Sequence, residues 1–281
     1  MRPLQWVKNL LIFFGALFIG SLATKSIWIA VTLTAIAFCL VSSAVYVLND
    51  IFDCERDRAH PKKQFRPVAS GQVSVVEAGA LAAVLAAAGL ALGYNVSNPV
   101  FLILLAYLVL NLAYSSWLKH VVILDVFCIS AGFMLRIFAG TVGVGIVPSK
   151  WLLMCGMMVT LFMGFTKRRA ELLSKQFSQQ DHRRVLEEYS PAFLDQLILI
   201  SVTATIISYS LYTMSPDTIA VHQTENLIAT VPIVIYGLFR YLYLIQMQSG
   251  GEDPTASLVK DRPIAAAFFA WILSIIMILK G

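Results

Sequence analysis

Asn49-Asp50-Ile51-Phe52-Asp53-Cys54-Glu55-Arg56-Asp57 closes a long apolar run and opens a basic stretch, His60-Pro61-Lys62-Lys63-Gln64-Phe65-Arg66-Pro67. At about 100° per residue, Asp50, Asp53 and Asp57 fall within one narrow arc of a helix. Carboxylates gathered on one face repel each other unless a cation sits among them. Hard oxygen ligands favour Mg²⁺, which keeps several waters and bridges to substrate phosphates. Lys62, Lys63 and Arg66 would then neutralise the remaining oxygens of a diphosphate leaving group. For Lys62 and Lys63, attraction to lipid headgroups, worth about 1 kcal/mol each, is an equal reading. Arg66, fixed before Pro67, reads as a positioned ligand.

A second charged cluster begins Thr166-Lys167-Arg168-Arg169-Ala170-Glu171 and continues through Asp181-His182-Arg183-Arg184. Lys167 and Glu171 stand four apart, the spacing of an intrahelical ion pair. Cations gathered at a helix mouth equally suit phosphate, so at least one of Lys167, Arg168 and Arg169 is expected to grip one. Two charges sit inside an apolar run: Asp125 and Arg136, eleven residues apart and therefore on one helix face. Their separation of about 16 Å along the axis is too great for a direct pair. Each needs its own partner or a wet cavity, so Arg136 is either an interhelical tie or a functional group. Arg240 is open to the same two readings. The segment Gly250-Gly251-Glu252-Asp253-Pro254-Thr255 and its sequel Lys260-Asp261-Arg262-Pro263 form a shaped loop, a lid or a plain connector.

The elements that must hold these residues are membrane helices. Of 281 residues, 58% are hydrophobic and only 13% charged, and the mean hydropathy is +0.77. Nine apolar runs approach the length of a bilayer span, roughly 10–24, 27–48, 73–94, 98–117, 121–147, 151–172, 195–214, 226–247 and 264–280. The expectation is an all-α polytopic membrane protein. Its nine transmembrane helices would form one bundle, a single domain over residues 1–281, around a central pocket open to the cytoplasmic side. No low-complexity tract, Gly/Ser-rich linker or internal repeat interrupts it.

Charge orients the bundle. With the amino terminus in the cytoplasm, sixteen of the 21 Lys and Arg residues fall on that side. Only Lys25, Lys150 and Lys280 fall on the other, a strong positive-inside bias. The localisation expected is a bacterial inner membrane, multi-pass, with amino terminus and reacting face cytoplasmic. The net charge of +5 then reflects topology and an anion-binding face, and no nucleic-acid partner is expected. Residues 1–23 could pass for a secretory signal, but retention of this first helix is expected. Cys39, Cys54, Cys128 and Cys155 form no C-x-x-C, and four scattered His residues make a zinc site unexpected.

These residues resemble the UbiA-type superfamily of intramembrane prenyltransferases, which has about nine helices and an N-D-x-x-D-x-x-x-D string after the second. The chain departs from that pattern by lacking a second D-x-x-x-D after the sixth span, where Lys167-Arg168-Arg169 stands instead. A second acidic cluster suits a second metal on an isoprenyl diphosphate; a basic one suits a free phosphate. The nearest resemblance is to the decaprenyl-phosphate phosphoribosyltransferase branch. It runs through RPLQWVKN at 2–9, NDIFDCERDRAHPKKQFRP at 49–67, DVFCISAGFMLRIFAG at 125–140, TKRRAEL at 166–172 and GEDPTASLVKDRP at 251–263.

The resemblance implies transfer of 5-phosphoribose from phosphoribosyl pyrophosphate to a polyprenyl phosphate, with pyrophosphate released, in making the arabinose donor of a cell envelope. It implies Asp50, Asp53 and Asp57 on Mg²⁺, with Asn49 as a neutral ligand or hydrogen-bond partner, and Lys8 and Arg136 as further substrate-binding candidates. Self-association as a homo-oligomer is left open. The rival reading is a prenyltransferase that uses a polyprenyl diphosphate donor and an aromatic acceptor. A transporter fits less well, because transporters gather polar groups near the midplane and these lie at one face.

Overall fold

Long apolar runs with few internal breakers become helices, and five of those described start where a hydroxyl side chain (Thr24, Ser74, Ser97, Ser190 or Ser215) takes up an orphan backbone N–H group. The computed structural model describes residues 3–18, 24–59, 63–173, 184–247 and 261–280. Every regular element among them is helical, as the composition predicts. Contacts divide the chain into two compact units, Met1–Pro148 and Ser149–Gly281.

In the first unit a 3₁₀ segment, Pro3–Phe13, leads into α1, Phe14–Phe18. Then follow α2, Lys25–Phe52, α3, Cys54–Ala59, α4, Val75–Val96, α5, Asn98–Ser116, and α6, Leu124–Ala139. Ser74 and Glu77 close a capping box at the start of α4. Ser97 caps α5, with Pro99 in the first turn, where a missing N–H costs nothing. Helix α2 is the central post: Val31, Phe38 and Val41 are fully buried and join Val100, Leu104 and Tyr107 in one core. Gly89 lets α4 approach α2 closely, since a Cβ there would lie 2.6 Å from the Val41 side chain and 3.0 Å from the Ala37 oxygen.

The 3₁₀ segment repeats every three residues, which puts Trp6, Asn9 and Ile12 on one face, continued by Gly15 in α1. Asn9, Ile12 and Gly15 are buried, whereas Val7 and Leu10 point out. Gly140 meets this face so closely that a Cβ on it would overlap the Ile12 carbonyl.

The second unit comprises α7, Lys150–Leu173, α8, Pro191–Met214, the short α9, Pro216–His222, α10, Val231–Met247, and α11, Arg262–Lys280. Helices α7 and α8 pack along their length. Tyr209 on α8 ties the far end together: its hydroxyl accepts from the Trp271 indole at 2.8 Å and bonds Thr230 at 2.7 Å.

Seven of the helical stretches described are long and apolar enough to cross a membrane. The other two of the nine expected differ for physical reasons. The first run is described only over Pro3–Phe18, fewer than 18 residues. Helix α7 has the length, with 24 residues, but Lys167, Arg168, Arg169 and Glu171 fill its last turns.

Candidate active site

The acidic string is built at the end of α2. The helix does not run through it as one cylinder: α2 ends at Phe52, and Asp53 takes φ −95°, ψ 6° before α3 begins at Cys54. Hydrogen bonds Asp53 N–Asn49 O at 3.0 Å and Asp57 N–Asp53 O at 2.8 Å carry the chain across the break. The kink spoils the single arc expected from an unbroken helix. Asp50 and Asp57 still converge, while Asp53 takes a different partner.

The following loop folds back beneath the string. Val68 and Ala69 are buried, with Val68 packed beside Cys54 and Val47. The Cys54 thiol donates to the Val68 carbonyl at 3.6 Å, and Arg58 donates to that of Ala69 at 3.1 Å. Bonds Arg66 N–Lys63 O, Ser70 N–Arg66 O and Val73 N–Pro67 O close its turns. This frame presents Arg66 to the acids. Its Nη1 donates to Asp57 Oδ2 at 2.5 Å and Asp50 Oδ1 at 3.3 Å. The Asp57 side chain is only 3% exposed and that of Asp50 16%.

Asp53 faces Lys119 instead, with Nζ to Oδ1 at 3.4 Å. Lys119 reaches that place from the α5–α6 connection, whose next turn is unusual. Ile123 has φ 69°, ψ −46°, and Leu124 N bonds Val122 O at 2.8 Å. This is a positive-φ γ-turn on a β-branched residue, a conformation that costs on the order of 1–3 kcal/mol. The turn feeds directly into α6 and buried Asp125. Asn49 accepts a short bond from Ser115 on α5, 2.5 Å, which fixes its amide. Lys119 is one of the sixteen cations that the charge bias puts on the cytoplasmic side. Its place at a helix mouth on the same side as the acids was the available signal.

The donor set fits a hard divalent ion. Asp50 and Asp57 approach closely enough to share one guanidinium nitrogen, and Mg²⁺ needs only one or two carboxylates when phosphate oxygens complete its shell. The described residues do not form a ready cage of three or more acidic, His or Cys groups. Lys63 stays beside the site, half-buried and engaged. Lys62 lies outside the described residues. Lys8 is on the exposed side of the 3₁₀ segment.

Arg136 sits elsewhere in the first unit, 4% exposed. Its Nε donates to Asn9 Oδ1 at 2.8 Å, Nη1 to Gly132 O at 2.6 Å and Nη2 to the Tyr107 hydroxyl at 2.9 Å. The guanidinium carbon lies 4.8–5.6 Å from the ring centres of Phe38, Tyr107 and Phe133. Among the described residues no carboxylate pairs with it. Oxygens and aromatic faces stabilise the charge and bind the 3₁₀ segment to α5 and α6.

In the second unit the basic run divides by role. The helical pair is Arg168–Glu171, at 2.5 Å, rather than Lys167–Glu171, and the Arg168 side chain is 1% exposed. Arg169 bonds Asp195 of α8 at 2.5 Å and the Ile245 carbonyl near the end of α10 at 3.1 Å, a favourable place for a cation. Lys167 is exposed, and among the described residues it has no ion pair. Arg240 pairs with Asp261 at 2.9 Å, so its partner is structural. That guanidinium holds the Asp261 carboxyl below the usual range, while Asp261 caps α11 by accepting from Ile264 N at 3.0 Å. The rest of the Gly250–Pro263 loop lies largely outside the described residues.

The profile of the UbiA prenyltransferase family matches residues 9–273. The chain belongs to this family. Within it, a protein from Corynebacterium glutamicum named decaprenyl-phosphate phosphoribosyltransferase is 34% identical over 99% of this chain and 84% of its own length. A protein of the same name from Mycolicibacterium smegmatis is 34% identical over 97% of this chain and 88% of its own. The solved structure of a UbiA homolog from Archaeoglobus fulgidus bound to GPP and Mg²⁺ superposes with a TM-score of 0.73 at 18% identity, covering 100% of this chain and 98% of that one. The UbiA fold is thereby shared.

Proposed function

We propose that this chain moves a 5-phosphoribosyl group from phosphoribosyl pyrophosphate to a polyprenyl phosphate, decaprenyl phosphate being the acceptor class, and releases pyrophosphate. The observation that carries this reading is similarity over almost the whole length to proteins bearing that activity in their names. Asp50 and Asp57, with Asn49 and Asp53 beside them, would hold the divalent ion. When bound, Mg²⁺ supplies charge neutralisation on the departing diphosphate. Arg66, Lys63, Lys62 and Lys119 would bind its remaining oxygens, and Lys167 is the cation of its cluster best placed to meet a phosphate. Arg136 serves the fold, tying the 3₁₀ segment to α5 and α6.

In the reaction an oxygen of the lipid phosphate forms a bond to the anomeric carbon as the bond from that carbon to pyrophosphate breaks. The electron pair leaves on pyrophosphate. The lipid phosphate is already anionic near neutral pH, so no general base is required. Alignment and charge stabilisation supply the rate.

The reading includes nine spans. At about 2.0 Å per 3₁₀ residue and 1.5 Å per α residue, Pro3–Phe18 covers roughly 30 Å, about one hydrocarbon core. It also includes a bacterial inner membrane, the acidic mouth in the cytoplasm and one catalytic domain over the whole chain. The product would feed arabinan precursors of an envelope.

The test is purified protein with Mg²⁺, labelled phosphoribosyl pyrophosphate and polyprenyl phosphates of several lengths. An acid-labile ribosylated lipid is expected, and Asp50→Ala should lower its formation at least a hundredfold while the protein stays folded. Labelled prenyl transfer to an aromatic acceptor, with no ribosylated lipid, would overturn the reading.

A further inference from the structure

We infer that Arg66 is a resident counter-cation, which withholds Asp50 and Asp57 from a free metal ion and releases them when a diphosphate takes its guanidinium, so that metal and diphosphate bind as a coupled pair. The inference rests on the proposed use of this site for a metal–diphosphate. It adds an order to the binding and a reason for it.

One nitrogen of Arg66 stands between the two carboxylates, 2.5 Å from Asp57 and 3.3 Å from Asp50. The position that one cation occupies between two acids is the position a second cation would need. A bare divalent ion entering there must expel the guanidinium, and would leave a positive group beside a dication in a half-buried site; the Arg66 side chain is 29% exposed. Nearly buried Asp57 cannot simply turn to water. A diphosphate changes the balance, because its oxygens accept the planar guanidinium as well as a carboxylate does. Only the side chain has to move: the loop beneath Arg66 is pinned by buried Val68 and Ala69. Lys119 stands to Asp53 in the same relation, at a looser 3.4 Å. Coupling of this kind is reciprocal, so metal must tighten diphosphate by the same factor.

The test uses the full chain in detergent, Mn²⁺ as the metal probe and inorganic pyrophosphate as the diphosphate. In equilibrium dialysis, metal chelated by free pyrophosphate equalises across the membrane and only protein-bound metal is scored. In the wild type, saturating pyrophosphate should raise Mn²⁺ affinity at least tenfold. Arg66→Gln should bind Mn²⁺ alone at least fivefold more tightly than wild type and gain at least fivefold less from pyrophosphate than wild type does, the remaining gain coming from phosphate oxygens on the metal and the lysines. Arg66→Met, which retains the apolar stem, repeats the measurement if the Gln variant does not fold. Arg56→Gln makes the same charge change at an exposed site of α3 and should move Mn²⁺ affinity less than twofold.

Equal Mn²⁺ affinity with and without pyrophosphate in the wild type would overturn the inference. So would Arg66 variants no tighter than wild type, or an Arg56 effect as large as theirs. No sugar or lipid enters this assay. Intact coupling with failed ribosyl transfer would therefore sink the proposed reaction alone, and transfer without coupling would sink only the role of Arg66.

Discussion

Two neighbouring cations on α7 do different work, and their partners say which. Arg169 bridges α7, α8 and α10 through Asp195 and the Ile245 carbonyl. Exposed Lys167 has no ion pair among the described residues. Arg169→Ala should therefore lower stability by about 1–2 kcal/mol, read as a fall in the thermal midpoint in detergent. Lys167→Ala should leave that midpoint within a degree or two. It should weaken the apparent affinity for the lipid phosphate roughly tenfold, as expected for one charge-assisted hydrogen bond. A drop in stability for Lys167→Ala with unchanged KM would reverse the assignment. The sequence located the cluster but paired Glu171 with Lys167. Residues three and four apart are both neighbours on a helix face, so spacing alone could not separate Arg168 from Lys167. The chemistry of the acidic string was similarly legible, whereas its partners Arg66 and Lys119 depend on a folded-back loop and a γ-turn that leave little local signal.

At the scale of elements, the amino-terminal segment is fastened by polar contacts inside an apolar bundle. Asn9 gives its oxygen to Arg136 and its amide nitrogen to Cys39 and Ser42 at 3.2 and 3.4 Å, and Trp6 donates to Ser43 at 3.1 Å. Asn9→Leu keeps a similar volume but leaves the buried Arg136 Nε–H without an acceptor, a loss of about 1–3 kcal/mol. The expected result is a lower thermal midpoint, with enzyme that remains folded retaining wild-type KM for both substrates. An altered KM at unchanged stability would instead put Arg136 in contact with substrate. The sequence showed an apolar run here too short for comfort. Its three-residue period leaves no mark on a run recognised by apolar length alone. The break at Asp53 was equally hidden: every residue around it is compatible with continuing the helix, and tertiary packing of the loop makes the difference.

For the molecule as a whole, the distribution of charge makes a claim about which way the chain faces. In the first unit the end carrying Asp50, Arg66 and the start of α4 is rich in Lys and Arg, whereas the other end, where α2 begins and α4 finishes at Tyr94 and Asn95, carries only Lys25 among its described residues. A soluble phosphorylated sugar and a membrane-held lipid phosphate can meet only where the acids face water on the donor's side. The native cysteines are free in the described structure and can be replaced by Ala or Ser. Single cysteines are then introduced at two exposed positions, Ser70→Cys and Asn95→Cys. In intact bacterial cells a membrane-impermeant maleimide should label the Asn95 position and spare the Ser70 position, and opening the cells should expose Ser70 to the same reagent. The reversed pattern would put the acidic mouth on the outer side, away from a cytoplasmic phosphosugar. The proposed reaction could not then proceed as written, even with every residue of the site intact.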